Sequence, residues 1–262
     1  MRLIIVGPGR AGGALGLAAE TAGHELVGVL SRTPSQRWES LEWDRPLPEA
    51  DVVLIAVRDE AIAEVAERIA PYVADIGVVA HLSGFTPVLV LHDIQERGTA
   101  VGGFHPLQSL PDPETGARAL AGSYVGIDGD PLAVDVLTHL ASSLGMEPFR
   151  LDDTARPAYH AAAAAAANFV VTSLAVSADL FESAHIDPKV SRPLVERAVA
   201  NVFDRGPAAS LTGPIARGDI ETVIGHLEAA HEVSSHVGRQ FRLIAEATAI
   251  RAGREEDLHR WK

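Results

Sequence analysis

MRLIIVGPGRAGGALG, residues Met1–Gly16, sets the architecture of this chain. The apolar run Leu3–Val6 leads at once into Gly7-Pro8-Gly9-Arg10-Ala11-Gly12, which matches G-x-G-x-x-G. That pattern is permissive alone, but here it joins a predicted strand to a predicted helix. In this context the first glycine permits a tight turn, the second lets the backbone approach a pyrophosphate, and the helix N-terminus supplies amide donors. A glycine-rich turn without a ligand is the alternative. We predict a cofactor loop formed by Gly7, Pro8, Gly9, Arg10, Ala11 and Gly12.

The first 150 residues alternate short β-branched runs with helical stretches, as βαβ units with a parallel sheet do. Apolar residues between the runs recur at helical spacing and predict crossover helices. Beyond Leu151 the strand-like runs disappear, and helices are expected with breaks at Pro188, Gly206-Pro207 and Gly213-Pro214. The sequence predicts an α/β fold: a Rossmann-type domain over 1–150 and an all-helical substrate and dimerisation domain over 151–262. The six predicted strands are Leu3–Val6, Glu25–Leu30, Val52–Val57, Gly77–Ala80, Thr99–Phe104 and Tyr124–Ile127.

Composition narrows the functional classes. The chain has 262 residues, no cysteine and a formal net charge of −13. The missing cysteine excludes disulfides and thiolate chemistry and agrees with a reducing, cytoplasmic location. The negative charge argues against nucleic-acid binding. The weakly polar run 161–178 is rich in alanine and interrupted by Asn, Thr and Ser, so we expect a buried soluble helix and no membrane span.

The end of the second predicted strand bears on the choice of cofactor. An NAD-binding protein usually places Asp or Glu some twenty residues past the loop, to accept from the ribose hydroxyl. Here the segment is Leu30-Ser31-Arg32-Thr33, in which an arginine and two hydroxyls suit a 2′-phosphate. Arg32 as a solvated loop residue is the alternative. We predict NADP, held also by Val57 and Arg58 at the end of the third strand.

Two later strand ends are unusually polar. His81-Leu82-Ser83-Gly84 follows the fourth run, and Phe104-His105-Pro106-Leu107-Gln108 follows the fifth. A histidine at this edge of the sheet is able to donate a proton or hydrogen bond as hydride arrives. For each histidine alone, a structural hydrogen bond is an equal alternative. We predict cofactor contacts from His81 and Ser83, a catalytic role for His105 and a substrate contact from Gln108.

The C-terminal half adds further candidates. His160 and Asn168 are eight residues apart, a little over two helical turns, which predicts a shared face. Asn168 is expensive to bury without partners, so it binds either substrate or another helix. The alanines of 161–167 allow close helix packing, and a homodimer interface is one way to satisfy it. Thr212 and Arg217 flank a predicted turn and are candidate substrate residues. His226, His231 and His236 do not converge on one face of a continuous helix, so we predict no metal site.

Together these segments resemble the Rossmann-like proteins that carry a C-terminal helical domain of unknown function, relatives of ketopantoate reductase and pyrroline-5-carboxylate reductase. The resemblance covers nearly the whole chain. The segments that carry it are Gly7–Gly12 with Ser31-Arg32, His81–Gly84, Phe104–Gln108, Tyr159–Ala162 leading to Asn168, Leu211–Pro214 and Arg217–Asp219.

The resemblance implies a dimeric NADP-linked oxidoreductase that reduces a small 2-oxo acid, with ketopantoate as the named substrate and pantothenate synthesis as the context. A related hydroxyacid dehydrogenase group has a catalytic lysine one helical turn before the asparagine, where this chain has Ala164. His160 or His105 is therefore the expected proton donor, with Asn168 orienting the substrate. Two alternatives stay open: a non-catalytic NADP-binding redox sensor, and an imine reductase similar to pyrroline-5-carboxylate reductase.

Overall fold

A computed structural model of the chain describes residues 1–261. It divides into two units, Met1–Ala164 and residues 165–261. The first unit therefore extends 14 residues beyond the predicted boundary at 150. The reason is that Asp153, Arg156 and Tyr159 hydrogen-bond to loops and strands of the sheet rather than to the helices that follow.

The first unit is built on a seven-stranded sheet in the order β2-β1-β3-β4-β5-β6-β7. The six predicted strands are confirmed, with ends shifted by up to three residues. β1 and its neighbour β3 are almost wholly buried, and each fully buried Ile or Val stabilises the fold by about 1.5–3 kcal/mol. The strands are β1 (Arg2–Val6), β2 (Glu25–Leu30), β3 (Ala50–Ile55), β4 (Ile76–His81), β5 (Ala100–Leu107), β6 (Tyr124–Gly129) and β7 (Glu147–Arg150).

Helices cover both faces of the sheet and form the whole of the second unit over the described residues. The predicted breaks at Pro188, Gly206-Pro207 and Gly213-Pro214 are confirmed. Helices of the first unit are α1 (Arg10–Thr21), α2 (Asp59–Ile69), α3 (His92–Gln95), α4 (Pro113–Leu120), α5 (Pro131–Ser143) and α6 (Arg156–Ala164). Helices of the second unit are α7 (Val170–Ser183), α8 (Arg192–Arg205), α9 (Pro207–Ser210), α10 (Pro214–Arg217), α11 (Ile220–Val233) and α12 (Ser235–Arg251), preceded by a π-helical turn at Ala165–Phe169.

The sequence predicted a parallel sheet, but the observed sheet is mixed. β6 runs antiparallel to β5, pairing His105 with Gly126. The connection between them carries α4, which packs against α1. A Cβ on Gly13 would lie 2.9 Å from Pro113 of α4, and one on Gly116 would lie 2.8 Å from Ala14. Because α4 is held against α1 in this way, the chain returns to the sheet from the same end, and β6 reverses direction.

The apolar helical stretch is exposed rather than buried as expected. Asp153–Ser183 has the length and mean hydropathy, 1.6, of a membrane-spanning segment, yet only 6% of its most apolar window is buried. Phe169 and Val171 are each about two-thirds exposed. Within the second unit, the buried clusters lie mostly in α11 and α12, and Val176 is their buried residue from this stretch. They contain Val223, Leu227, Ala245, Ala249 and Trp261, and separately Val176, Ala230 and Val237.

Candidate functional site

The glycine loop has the geometry that the sequence predicted. Gly7 has a φ of +89°, a left-handed conformation that favours glycine, and its N–H donates to the Leu30 carbonyl at 2.8 Å. A Cβ on Gly12 would overlap the Gly7 carbonyl oxygen, so only glycine fits there. Gly9 precedes α1 without a side-chain cap, and the first turn carries no acidic residue. The N–H groups of this turn are therefore available to an anion.

A cavity of about 770 Å³ opens beside this loop, within the size range of ligand pockets. It lies where β2 and β3 flank β1, the point at which the strand order reverses. Three arginines and one carboxylate, Glu64, line it. Eight predicted cofactor residues are among the lining: Gly7, Pro8, Gly9, Ser31, Arg32, Thr33, Val57 and Arg58. Arg10, Ala11 and Gly12 lie in the first turn of α1.

Trp43 and Arg68 line this cavity but were not predicted from the sequence. The Trp43 indole N–H donates to the Ser31 carbonyl at 3.0 Å, and the Arg68 guanidinium lies 4.5 Å from the centre of the Trp43 ring. Arg68 is also held by Asp44 through two hydrogen bonds of 2.8 and 2.7 Å. Trp43 and Arg68 therefore stabilise the chain between Ser31 and Asp44, which follows β2. Because Trp43 and Arg68 lie outside any short motif, no local pattern identifies them.

A cluster of aromatic and imidazole rings lies at the ends of β4 and β5. The Nδ1 atom of His105 is 2.7 Å from the Tyr159 hydroxyl, and the two rings meet edge to face. The His105 and His160 ring centres are 6.0 Å apart. The two predicted catalytic histidines are therefore neighbours, and Tyr159 contacts His105.

His81 and Ser83 differ from the sequence prediction. His81 is fully buried, and its Nδ1 accepts from the Ser83 N–H at 3.2 Å. The Ser83 hydroxyl accepts from the backbone N–H groups of Phe85 and Thr86. Both side chains thus organise the loop after β4. The sequence predicted that both side chains contact a cofactor. Both are buried, and neither lines the cavity beside the glycine loop.

Arg156 anchors the loop after β4. Its guanidinium is fully buried, with Nε 2.6 Å from an Asp153 carboxylate oxygen and Nη1 donating to the Ser83 carbonyl at 3.0 Å. The same Asp153 carboxylate accepts from the Val88 N–H at 3.0 Å. A Cβ on Gly103 would overlap the guanidinium. One buried cation therefore ties α6 to the loop after β4 and to β5.

Burial keeps the imidazoles of His81 and His105 neutral near pH 7. It lowers the pKa of His81 to about 4, with the positive charge of Arg156 as a second cause. Burial also lowers the pKa of His105 to about 4, followed by the charges of His160 and Arg156. Burial raises the pKa of Tyr159 to about 12. Near pH 7, His105 and Tyr159 are thus an uncharged imidazole beside an uncharged phenol.

The predicted substrate residues are engaged in local hydrogen bonds. Gln108 donates to the Ala119 carbonyl at 3.2 Å and accepts from the Ser109 N–H at 2.8 Å. In the second unit, Arg217 donates to the Thr212 carbonyl at 2.7 Å and pairs with Asp219 at 2.8 Å. These contacts occupy the groups that were predicted to hold a substrate.

Asn168 lies in the π-helical turn and is exposed. A π-helical turn holds more residues than a regular one, so the eight residues from His160 to Asn168 span about two turns, fewer than in a continuous α-helix. The shared face of His160 and Asn168 therefore stays a prediction. The exposure of Asn168 also removes the expected cost of burying its amide.

Comparison with known proteins follows the same division of the chain. Residues 1–106 match the model of a Rossmann-like domain, and residues 123–248 match a domain of unknown function, DUF2520. No curated protein matches the sequence significantly. Among solved structures, a provisionally assigned NADP oxidoreductase from Bacteroides fragilis shares 22% identity over 95% of this chain and 97% of its own, with a TM-score of 0.77.

Two further structures share the fold. Pyrroline carboxylate reductase from Plasmodium falciparum, solved with NADP bound, is 12% identical over 96% of this chain and 98% of its own, with a TM-score of 0.65. An imine reductase from Streptomyces aurantiacus is 18% identical over 94% of this chain and 93% of its own, with a TM-score of 0.63.

Fold and site together define a Rossmann-type protein with a dinucleotide-binding loop and a helical C-terminal unit. The two matched domains account for most of the chain. The chain belongs to the family of Rossmann-like proteins that carry the C-terminal domain of unknown function DUF2520.

Proposed function

We propose that this protein is an NADP-dependent oxidoreductase that transfers hydride from NADPH to a small carbonyl compound, a 2-oxo acid such as ketopantoate. The observation that carries the proposal is the cavity beside the glycine loop, which combines a free helix N-terminus with Arg32 and two hydroxyls after β2. The three residues that directly follow β2, Ser31-Arg32-Thr33, include no carboxylate to bind a ribose diol.

The residues present fit NADP. Gly12 leaves room for the loop to close, and the first turn of α1 offers N–H groups to the pyrophosphate. Ser31, Arg32 and Thr33 would hold the 2′-phosphate, where a charge-assisted hydrogen bond contributes about 1.5–3 kcal/mol. Bound NADPH would supply the hydride.

The order of the strands supports a reductase over a nucleotide-binding module alone. A dinucleotide that starts at the β1 loop and crosses the end of β3 reaches the ends of β4 and β5 next. Those are the strands that end at the cluster of His105, Tyr159 and His160. An uncharged imidazole and phenol at this point suit proton delivery to a carbonyl oxygen.

Reduction of a cyclic imine is the second candidate. It is favoured by the fold that the chain shares with pyrroline carboxylate reductase and an imine reductase.

The test begins with the cofactor. NADPH and NADH are titrated into the full-length protein, with nucleotide fluorescence as the signal, and tighter binding of NADPH is expected. NADPH oxidation is then followed with ketopantoate, 2-oxobutyrate and pyruvate, and with 1-pyrroline as the imine. Failure to bind either nucleotide refutes the proposal. Tight binding of NADPH without turnover of any compound favours the redox-sensor alternative.

We also propose that the protein is a homodimer through its second unit. α8 is 14 residues long and contains no buried residue, although isolated helices below about 12–15 residues are marginal in water. Its Leu194 is 70% exposed and its Phe203 85% exposed. α7 presents further exposed apolar side chains, including Val171. A second copy would supply an equally apolar face, as two-fold interfaces do.

A further inference from the structure

The Arg68 guanidinium is fixed on two sides where it lines the cavity beside the glycine loop. Its Nε and Nη2 atoms donate to the two carboxylate oxygens of Asp44 at 2.8 and 2.7 Å. Its Cζ atom lies 4.5 Å from the centre of the Trp43 ring, within the range of a cation–π contact. A side chain held in this way has already lost the rotamer freedom that binding a ligand would otherwise cost.

These contacts leave most of the donors of Arg68 unused. A guanidinium carries five N–H groups, and the Asp44 carboxylate accepts from two of them. The other three make no hydrogen bond within residues 1–261. Asp44 does not line the cavity, so the cavity faces the cation and not its counter-charge. An anion in the cavity therefore meets free N–H donors on a cation of fixed position.

Trp43 connects Arg68 to the segment that follows β2. The indole N–H donates to the Ser31 carbonyl at 3.0 Å, while the guanidinium of Arg68 lies over the face of the ring. All three residues line the same cavity. The wall of the cavity therefore continues from Ser31 through Trp43 to Arg68, and a phosphate bound after β2 lies beside that wall.

The backbone of Asp44 supports a functional interpretation of these contacts. Asp44 has a φ of +62°, a left-handed conformation that is uncommon in residues other than glycine. Such conformations persist where surrounding contacts hold them, and they cluster at ligand-binding sites. The contacts that hold Asp44 are the two hydrogen bonds from Arg68. The chain thus keeps an unfavourable backbone conformation at the residue that orients Arg68.

The other charges of the cavity leave two cations for a phosphate. Three arginines and one carboxylate, Glu64, line the cavity and give it a net charge of +2. Arg58 pairs with Glu60 at 2.9 Å, and its side chain is 79% exposed. Arg32 and Arg68 are the other two arginines. A phosphate monoester carries a charge near −2 at neutral pH, which matches this pair.

We infer that Arg68 is a second cation for the 2′-phosphate of NADP and that, with Arg32, it determines the preference of this cavity for NADP over NAD. Trp43 and Asp44 are positioning residues that hold Arg68 toward the cavity. This inference rests on the proposed function, because it names a further residue for the cofactor of that same site. It adds a residue of α2 to a phosphate site that the sequence placed wholly after β2.

The first experiment measures the binding of NADPH and NADH to Arg68→Met by nucleotide fluorescence. We expect the Kd for NADPH to rise about 10-fold, the lower end of the range for a charge-assisted hydrogen bond, because the Arg68 side chain is 45% exposed. The Kd for NADH should change less than about twofold, since NADH has no 2′-phosphate. Arg68→Gln, which also removes the charge, carries the same test where Arg68→Met does not fold.

Arg45→Met is the matched control. Arg45 lies in the same connection between β2 and β3, pairs with Glu42 at 3.6 Å and does not line the cavity. Its replacement should leave the Kd of both nucleotides unchanged. The melting temperature of each variant, followed by circular dichroism, shows whether a change in Kd accompanies loss of the fold.

The second experiment isolates the phosphate. Adenosine 2′,5′-bisphosphate and adenosine 5′-monophosphate differ only in the 2′-phosphate, and each is titrated into the wild type and Arg68→Met by calorimetry. The variant should bind the bisphosphate about 10-fold more weakly and the monophosphate with unchanged Kd. Equal losses for the two compounds would assign Arg68 to the adenosine and overturn the inference.

The outcomes separate the inference from the proposed function. Equal losses of NADPH and NADH affinity in Arg68→Met, or no loss, overturn the inference while the reductase stands. A preference for NADPH that depends on Arg68, in a protein that turns over no carbonyl compound or imine, supports the inference and defeats the proposed function. Failure of the wild type to bind either nucleotide defeats both.

Discussion

Replacing Arg156 by methionine removes a buried charge while it keeps most of the side-chain volume. The Arg156 guanidinium is fully buried, 2.6 Å from the Asp153 carboxylate and 3.0 Å from the Ser83 carbonyl oxygen. The variant leaves that carboxylate without its cation and the carbonyl without its donor. We expect the first unit to be destabilised, because a buried group that loses its partner is not solvated in exchange.

The magnitude follows from the exposure of the partner. Loss of one member of a buried ion pair costs about 3–5 kcal/mol. The Asp153 side chain is 35% exposed and keeps the Val88 N–H as a donor, so water and backbone compensate in part. We therefore take the lower end, about 3 kcal/mol. At about 2–4 °C per kcal/mol for a unit of this size, the melting temperature should fall by about 6–12 °C.

The assay is thermal and urea unfolding, followed by circular dichroism, of Arg156→Met and of Arg45→Met as a matched control. The Arg45 side chain is 73% exposed, and its ion pair with Glu42 spans 3.6 Å. The control should lose less than about 0.5 kcal/mol. An Arg156→Met protein as stable as Arg45→Met refutes the reasoning, because the buried guanidinium would then hold nothing in place.

Three further predictions concern cofactor choice, pH and assembly. Arg32→Ala should raise the Kd for NADPH about 10- to 150-fold and leave the Kd for NADH unchanged, measured by fluorescence titration; equal losses for both nucleotides would exclude contact with a 2′-phosphate. The pKa of His81 is about 4 in the folded protein and about 6.5 when unfolded, so the unfolded chain binds more protons between these values. The free energy of unfolding should therefore fall as pH drops from 6.5 to 4, by up to about 3 kcal/mol for this residue. His105 has the same lowered pKa, so His81→Gln should lose about half of the slope seen in urea titrations, and an unchanged slope would contradict the burial of a neutral imidazole. Phe203→Glu should convert the dimer to a monomer in sedimentation velocity, whereas a monomeric wild type, or recovery of wild-type protein with membranes, would contradict the homodimer.

The features that the sequence predicts well are local ones. The strand, the glycine loop and the first helix are adjacent between Arg2 and Thr21, so one stretch of chain specifies all three. Gly7 needs its positive φ and Gly12 needs its missing Cβ within that same stretch. The sequence also predicted eight residues of the cavity, because they lie at the ends of strands that are consecutive along the chain.

Features that depend on distant contacts were not predicted. The short strand β7, Glu147–Arg150, contains Pro148 and two charged residues, a composition tolerated in an edge strand but unlike a buried one. The reversal of β6 depends on packing between α4 and α1, which no periodicity reveals. Arg156 looks in sequence like a surface residue before a helix, and only its fully buried position shows that it connects α6 to the loop after β4.

The missing lysine has a structural consequence. Lys189 and Lys262 are the only lysines in the chain, and Ala164 stands where related dehydrogenases are expected to place a catalytic one. A lysine donor carries its charge into the site, and here the buried Arg156 already supplies a cation that lowers the pKa of the nearby histidines. A second cation would be costly beside it, since like charges disfavour each other in a poorly solvated site. The neutral imidazole of His105 and the neutral phenol of Tyr159 add no charge to this site. On this argument Ala164→Lys should not raise activity, because the new ammonium would either lose its proton or displace the cluster that replaces it.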